Sequence, residues 1–124
     1  MTPYEYAVIR AVPRIERGEQ MNVGVILYCQ RLEFLAARTA LSADRLLALD
    51  PGADLDQVRA ALTSWEITCA GGAAGGAARD MTRGERFRWL TAPRSTVLQA
   101  GPVHTGLTRD PGANLDRLLE LLVR

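Results

Sequence analysis

The first forty residues contain three strand-like segments in succession, and this pattern constrains the fold more than any other feature. Residues 4–12 are rich in β-branched and aromatic side chains and end before Pro13. Residues 21–29 alternate in character, so one face of that strand is expected in the core. The predicted core face consists of Met21, Val23, Val25, Leu27 and Cys29. Residues 32–40 complete a predicted antiparallel meander.

A glycine interrupts the second of these strands. Gly24 has strand residues on both sides. Glycine inside a strand is typical of a β-bulge or of a close approach by another backbone. We therefore predict one of these irregularities at this position.

The remaining two thirds of the chain are mostly helical. Ser42 is a predicted N-cap, and Thr82 with Glu85 forms a predicted capping box. The similar stretches 50–58 and 110–118 each begin with Asp-Pro, which is typical of a helix start. Residues 95–100 resemble one further strand.

These segments predict one α+β domain covering residues 1–124. Its order is β-β-β, helices, β and α, with a mostly antiparallel sheet of about four strands and helices packed on one face. A flexible linker rich in glycine and alanine is expected near residues 70–79.

Composition excludes several classes of chemistry. All 15 basic residues are arginine, so neither a Schiff-base lysine nor a lysine-dependent phosphate loop is available. A net charge of +1 provides no general attraction to nucleic acid or to an anionic membrane. Cys29 and Cys69 fit neither a zinc motif nor a redox pair, and we expect buried thiols, no metal and no cofactor. The chain lacks a secretion signal and a membrane-length apolar run, so we expect a cytoplasmic protein.

Three polar segments are candidate functional surfaces. The charged loop 13–22 joins two strands and is either a solvated turn or a functional loop. The arginine-rich stretch 79–94 contains Phe87 and Trp89, a composition that RNA-binding surfaces share with ordinary exposed helices. Residues 91–106 combine several hydroxyls and an arginine with the chain's one histidine.

His104 has two interpretations. It is predicted in a loop, where it either hydrogen-bonds the backbone around Pro102 or contacts a ligand or partner. Ser95 lacks the G-x-S-x-G surroundings of a nucleophile elbow, and a dyad with Cys29 would require a core-facing thiol to be reactive. No complete catalytic arrangement is therefore evident around the histidine.

Two long blocks carry a family resemblance. "YEYAVIRAVPRIERGEQMNVGVILYC" and "GERFRWLTAPRSTVLQAGPVHTGLTRDP", together with "RLLALDP", resemble a bacterial family known as domain of unknown function 3037. The resemblance implies no assigned activity, but it does imply a partner, since members are often encoded beside a HipA-like kinase protein. The family-like polar positions are Arg14, Glu16, Glu19, Asn22, Arg94, Ser95, His104 and Thr105.

Two functional hypotheses follow. The first is a non-enzymatic interaction module that binds a protein partner, with a HipA-like kinase as the candidate. The second is an enzyme or binding domain for a phosphorylated or nucleotide-like anion, in which Arg14, Arg94, Ser95 and His104 converge. Nucleic acid is a less favoured partner, and self-association is left open.

Overall fold

The computed structural model describes the backbone of residues 1–124 and every side chain except those of residues 73 and 74. The strands are β1 (Thr2–Ala11), β2 (Met21–Cys29), β3 (Phe34–Thr39), β4 (Leu98–Ala100) and β5 (His104–Thr108). The α-helices are α1 (Ala43–Leu49), α2 (Leu55–Ala70), α3 (Arg83–Thr91) and α4 (Pro111–Leu122). The α+β class and the antiparallel sheet are confirmed, and the described residues form five strands instead of about four.

The central strand of the sheet is β1. The order is β3-β2-β1-β4, and β5 pairs with β1 as well. Because β2 occupies one side of β1, β4 and β5 lie end to end along the other, with Ala100 opposite Ile9 and His104 opposite Tyr6. The prediction that His104 lies in a loop is wrong. Gly101 and Pro102 interrupt the edge only briefly before the chain pairs with β1 again.

Helices cover both faces of the sheet, which corrects the expectation of helices on one face. Ala7 and Ile9 on β1 pack with residues of α1, α2 and α3. Tyr4 on the same strand packs with Leu115 and Leu119 of α4 on the opposite face. Since successive strand residues point to opposite sides, a sheet with both faces covered has apolar residues in both alternating sets.

The bulge predicted at Gly24 is confirmed. Gly24 pairs with Ile9, whereas Arg10 pairs with Asn22, which leaves Val23 as the additional residue. A Cβ at position 24 would also lie 2.8 Å from the carbonyl oxygen of Arg38, so the neighbouring backbone approaches closely.

This bulge reverses the alternation along β2. The predicted single core face is therefore wrong: Met21 and Val23 pack on the side of α2 and α3, and Val25, Leu27 and Cys29 pack on the side of α4. A strict period of two cannot hold across an additional residue.

Most predicted caps are present. The side chains of Ser42, Thr82 and Asp110 accept the expected backbone hydrogen bonds at the starts of α1, α3 and α4. One cap differs: Asp54 begins α2, whereas Asp50 ends α1 and accepts a bond from the amide of Gly52. The shared Asp-Pro-Gly letters thus form a turn in one stretch and a helix start in the other.

The segment predicted as a linker near residues 70–79 follows α2 and contains a 3₁₀ helix, Ala73–Ala78. The side chains of residues 73 and 74 lie outside the described part of the chain. Across the described residues, every helix is too short or too polar to traverse a bilayer.

Candidate functional site

The charged loop between β1 and β2 neutralises itself. Arg14 donates to Glu16 at 3.1 Å, and Arg17 donates to Glu19 at 2.5 Å. Hydrogen bonds from the Glu16 backbone and from Arg14 lower the pKa of Glu16, and the bond from Arg17 lowers the pKa of Glu19. These side chains are exposed. The geometry is that of a solvated turn whose charges are paired within it.

Asn22 and Arg94 are occupied by structural contacts. Asn22 donates through Nδ2 to the carbonyl oxygen of Leu122 at 3.0 Å, which satisfies an orphan group at the end of α4. Arg94 donates to the carbonyl oxygen of Trp89. Its guanidinium lies 5.7 Å from the Trp65 ring centroid and 5.5 Å from that of Trp89, within cation–π range of both.

His104 and Thr105 begin the edge strand β5, and both are exposed. The His104 ring centroid lies 5.3 Å from that of Tyr6, on the α4 side of the sheet. Thr105 pairs with Glu5, and its side chain therefore lies on the other side of the sheet. His104 and Thr105 therefore cannot contribute side chains to the same surface of the sheet.

The anion-site hypothesis requires four residues to converge, and the structure does not bring them together. The Val12 amide donates to the Val97 carbonyl at 2.7 Å, so the segment with Arg94 and Ser95 lies at the end of β1 that enters the charged loop. His104 is opposite Tyr6, about 20 Å away along an extended strand. His104 and Arg94 also lie on opposite faces of the sheet.

The arginine-rich stretch is likewise divided among separate roles. Arg86 is buried and donates to the carbonyl oxygens of Met81 and Cys69. Arg79 pairs with Asp80, and Arg88 pairs with Glu5. This arrangement is not a continuous basic face of the kind that nucleic acid requires.

A groove with both polar and aromatic walls lies at the end of the sheet where β1 begins. It consists of two adjoining cavities of about 730 and 540 Å³ that share Glu5, Tyr28 and Gln30. Their other lining residues are Pro3, Tyr4, Arg31, Thr105, Met81, Gly84, Glu85, Arg88 and Trp89. We call this surface the β1–α3 groove. Of the eight family-like polar positions, Thr105 alone lines it, whereas the candidate stretch 79–94 contributes Met81, Gly84, Glu85, Arg88 and Trp89.

An ion pair crosses the middle of the groove. Arg88 contacts the two carboxylate oxygens of Glu5 at 2.7 and 2.6 Å, and the hydrogen bond that it donates to Glu5 raises the pKa of Arg88. Beside the pair, the Tyr28 ring stacks on Phe87 with a centroid distance of 5.5 Å. A Cβ at Gly84 would lie 2.9 Å from the Tyr28 hydroxyl, so glycine at this position lets α3 approach β2 closely.

The rim of the groove has an exposed aromatic and a free cation. Trp89 is 43% exposed. Arg31 is exposed, and among the described residues no carboxylate lies within salt-bridge distance of it. Glu85 on the opposite wall is held in the capping box, where hydrogen bonds from Thr82 lower its pKa. The groove therefore presents an aromatic surface and one unpaired positive charge.

The described side chains contain no arrangement suited to metal or thiol chemistry. They include no group of three histidine, cysteine or acidic residues close enough to hold a metal ion. Both cysteines are buried, and burial raises the pKa of Cys69 to about 12. A thiol with this pKa is almost entirely protonated at neutral pH and is a poor nucleophile.

Sequence reasoning singled out the stretch 79–94 as a candidate surface but missed the residues of β1 and β2 that face it across the groove. Glu5 and Tyr28 lie inside strands, and nothing in their neighbours indicates that α3 meets them. The one usable signal is Gly84 within a helical pattern, since glycine inside a helix often marks a close packing contact.

A comparison with family models places the chain in a family. Residues 6–123 match the family described as "Protein of unknown function (DUF3037)". The chain belongs to this family, which confirms the resemblance drawn from its two long sequence blocks. No curated protein and no solved structure matches the chain.

Proposed function

We propose that this chain is a non-enzymatic interaction module of the cytoplasm that binds a HipA-like kinase protein through the β1–α3 groove. The observation that carries the proposal is Trp89, a large aromatic residue left 43% exposed beside an open groove. Tryptophan and arginine are the residues most enriched among those that dominate the energy of protein interfaces. Trp89 and Arg31 supply both types at opposite ends of the groove.

The electrostatics of the groove favour a binding role over a catalytic one. The Arg88 charge is already neutralised by Glu5, and the Glu85 carboxylate is already engaged in its helix cap. Neither group is poised to transfer a proton, since catalytic acids and bases have pKa values shifted toward the working pH. An acidic or aromatic side chain of a partner would instead find Arg31 and the exposed part of the Trp89 ring, beside Arg94, available.

The test uses the purified chain and a HipA-like kinase protein from the same genome. We expect co-elution in size-exclusion chromatography and a measurable dissociation constant by isothermal titration calorimetry. Trp89→Ala should weaken binding at least about tenfold, as loss of an interface hot spot does. Leu121→Ala is the matched control, because Leu121 is 66% exposed on α4 at the other face of the sheet.

A second pair of variants tests the charge. Arg31→Glu should weaken binding, whereas Arg59→Glu on the exposed side of α2 should not. Separate elution of the two wild-type proteins at micromolar concentrations would refute the proposed partner. Equal effects of the groove variants and their controls would refute the proposed surface.

A further inference from the structure

The strand β5 forms an open edge of the sheet. Its five residues pair with β1 in an unbroken antiparallel register from Thr108 opposite Thr2 to His104 opposite Tyr6. In the described chain no strand pairs with the other side of β5. The backbone groups on that outer side are therefore free to pair with another strand.

The other edges of the sheet are protected, and β5 is not. The outer strand β3 lies between α2 and α4 and carries Arg38, which pairs with Asp116 at 3.4 Å. The strand β4 has three residues and is followed by Gly101 and Pro102, and proline has no amide hydrogen to donate. The strand β5 contains no charged residue, no proline and no bulge, which are the usual means of blocking an edge.

The side chains of β5 are open to a neighbour as well. His104 and Thr105 are exposed, and Leu107 is 60% exposed. Thr105 and Leu107 share one face, and His104 lies on the other. An edge strand without charges, proline or a bulge is available to pair with another chain, and the exposed Leu107 side chain would be covered in such a pair.

We propose that β5 pairs antiparallel with β5 of a second copy of this chain, in a two-fold register centred on Gly106. This register places His104 opposite Thr108 of the second copy and Thr105 opposite its Leu107. All five residues of the strand then pair with one another. Centring on Thr105 would place Pro102 in the ladder, and centring on Leu107 would place Arg109 and Asp110 there. Only the Gly106 register avoids both.

The occupant is a second copy because β5 complements itself. In the Gly106 register each threonine at position 105 packs beside a leucine, and the two histidines are not directly opposed. Cross-strand pairs of apolar and β-branched residues stabilise a sheet, whereas directly opposed like charges destabilise it. An isologous contact of this kind closes as a dimer and does not propagate. The contact shares Thr105 with the lining of the β1–α3 groove but uses neither Trp89 nor Arg31, so it is tested apart from the proposed binding of a kinase.

Sedimentation equilibrium tests the association. The wild-type chain should show a concentration-dependent monomer–dimer equilibrium. Leu107→Lys should raise the dimer dissociation constant at least about tenfold, because a lysine on an edge strand opposes pairing. Leu121→Lys, a similarly exposed leucine on α4, should leave it unchanged. Trp89→Ala should also leave it unchanged, which separates this outcome from failure of the groove proposal.

Disulfide trapping tests the register. The cysteine variants add no charge to β5, so they should not oppose pairing as Leu107→Lys does. Antiparallel partners have Cα atoms about 4.5–5.5 Å apart, within the range that a disulfide spans. A mixture of Thr105→Cys and Leu107→Cys chains should therefore form mixed disulfide dimers faster than either variant alone. A wild-type chain that sediments as a monomer at all concentrations would overturn the proposal. Equal trapping in the mixed and unmixed samples would overturn it too.

Discussion

The two faces of the sheet differ in how much of β1 their helices cover. On one face, α4 packs mainly on β2 and β3 and reaches β1 at Tyr4, whose hydroxyl accepts a bond from Asn114 at 2.9 Å, while Tyr6, Val8 and Arg10 stay half-buried. On the other face, the helices cover β1 from Ala7 onward but leave the row with Glu5 partly open. The cross-strand row that contains Glu5 and Tyr28 forms the floor of the β1–α3 groove.

The polar groups of the two faces differ accordingly. On the α4 side, Thr108 donates to Asn114, which in turn donates to Tyr4, and both Thr108 and Tyr4 are buried. Buried polar groups satisfied in this way fix the packing of a helix on a sheet. On the groove side, the polar pair of Glu5 and Arg88 stays half-exposed. The comparison indicates that buried polar contacts fix the packing on the α4 side, whereas the groove side leaves a polar pair open to solvent.

The substitution expected to lower the free energy of unfolding most is Phe87→Ala, on the groove side of the sheet. Phe87 is fully buried beneath the groove and supports the Tyr28 ring. Removing a buried phenylalanine typically costs about 3–5 kcal/mol in the free energy of unfolding. Urea denaturation followed by circular dichroism measures this loss.

The control is Trp89→Ala on the same helix. Because Trp89 is half-exposed, this substitution should lower the free energy of unfolding clearly less. Equal costs for the two variants would mean that the groove has no rigid floor.

Much of the fold could be predicted from local sequence. The three initial strands, the caps at Ser42, Thr82 and Asp110, and the bulge at Gly24 depend on neighbouring residues and fixed spacings, and all are present. The strand β5 escaped prediction because five residues that include a glycine and follow Gly-Pro resemble a loop. Its strand character comes from pairing with β1, almost a hundred residues earlier in the chain.

The groove could not be predicted for the same reason. Arg88 and Glu5 meet across 83 positions of sequence. Each is an ordinary surface residue in its own element, and the pairing follows only from how α3 crosses the sheet. Charged motifs such as Arg14 with Glu16 are easy to recognise in the sequence because their charges are close together in the chain. That closeness is also why they neutralise each other locally and leave little for a ligand.

A smaller effect is expected from Gly106→Ala, where the edge strand meets Tyr4 on the α4 side of the sheet. A Cβ at this position would lie 2.6 Å from the Tyr4 ring, which is buried and held by Asn114. Overpacking of this kind costs about 1–3 kcal/mol. Chemical denaturation should show the loss.

The matched control for this substitution is Gly112→Ala, near the start of α4. Its nearest neighbour, the Asp110 carboxylate, would lie 3.6 Å away, an ordinary contact. Alanine also restricts the unfolded chain, so the variant should be neutral or up to about 1 kcal/mol more stable than wild type. If both alanine variants were equally stable, the packing around Tyr4 would be looser than its contacts indicate.

The smallest effect concerns Glu85 on the groove wall and depends on pH. Hydrogen bonds from Thr82 lower the pKa of Glu85 below its ordinary value of 4.5 in the folded state. The stabilisation from its charge is therefore complete above the unfolded pKa and is lost as the pH falls through the folded pKa.

Glutamine can still accept the capping bond but carries no charge. The difference in melting temperature between wild type and Glu85→Gln should thus be constant near neutral pH and shrink below pH 4.5. In a Thr82→Ala background, which removes the side-chain bond from Thr82, this pH dependence should weaken. A difference that stays constant into acid would show that the charge contributes nothing to this end of α3.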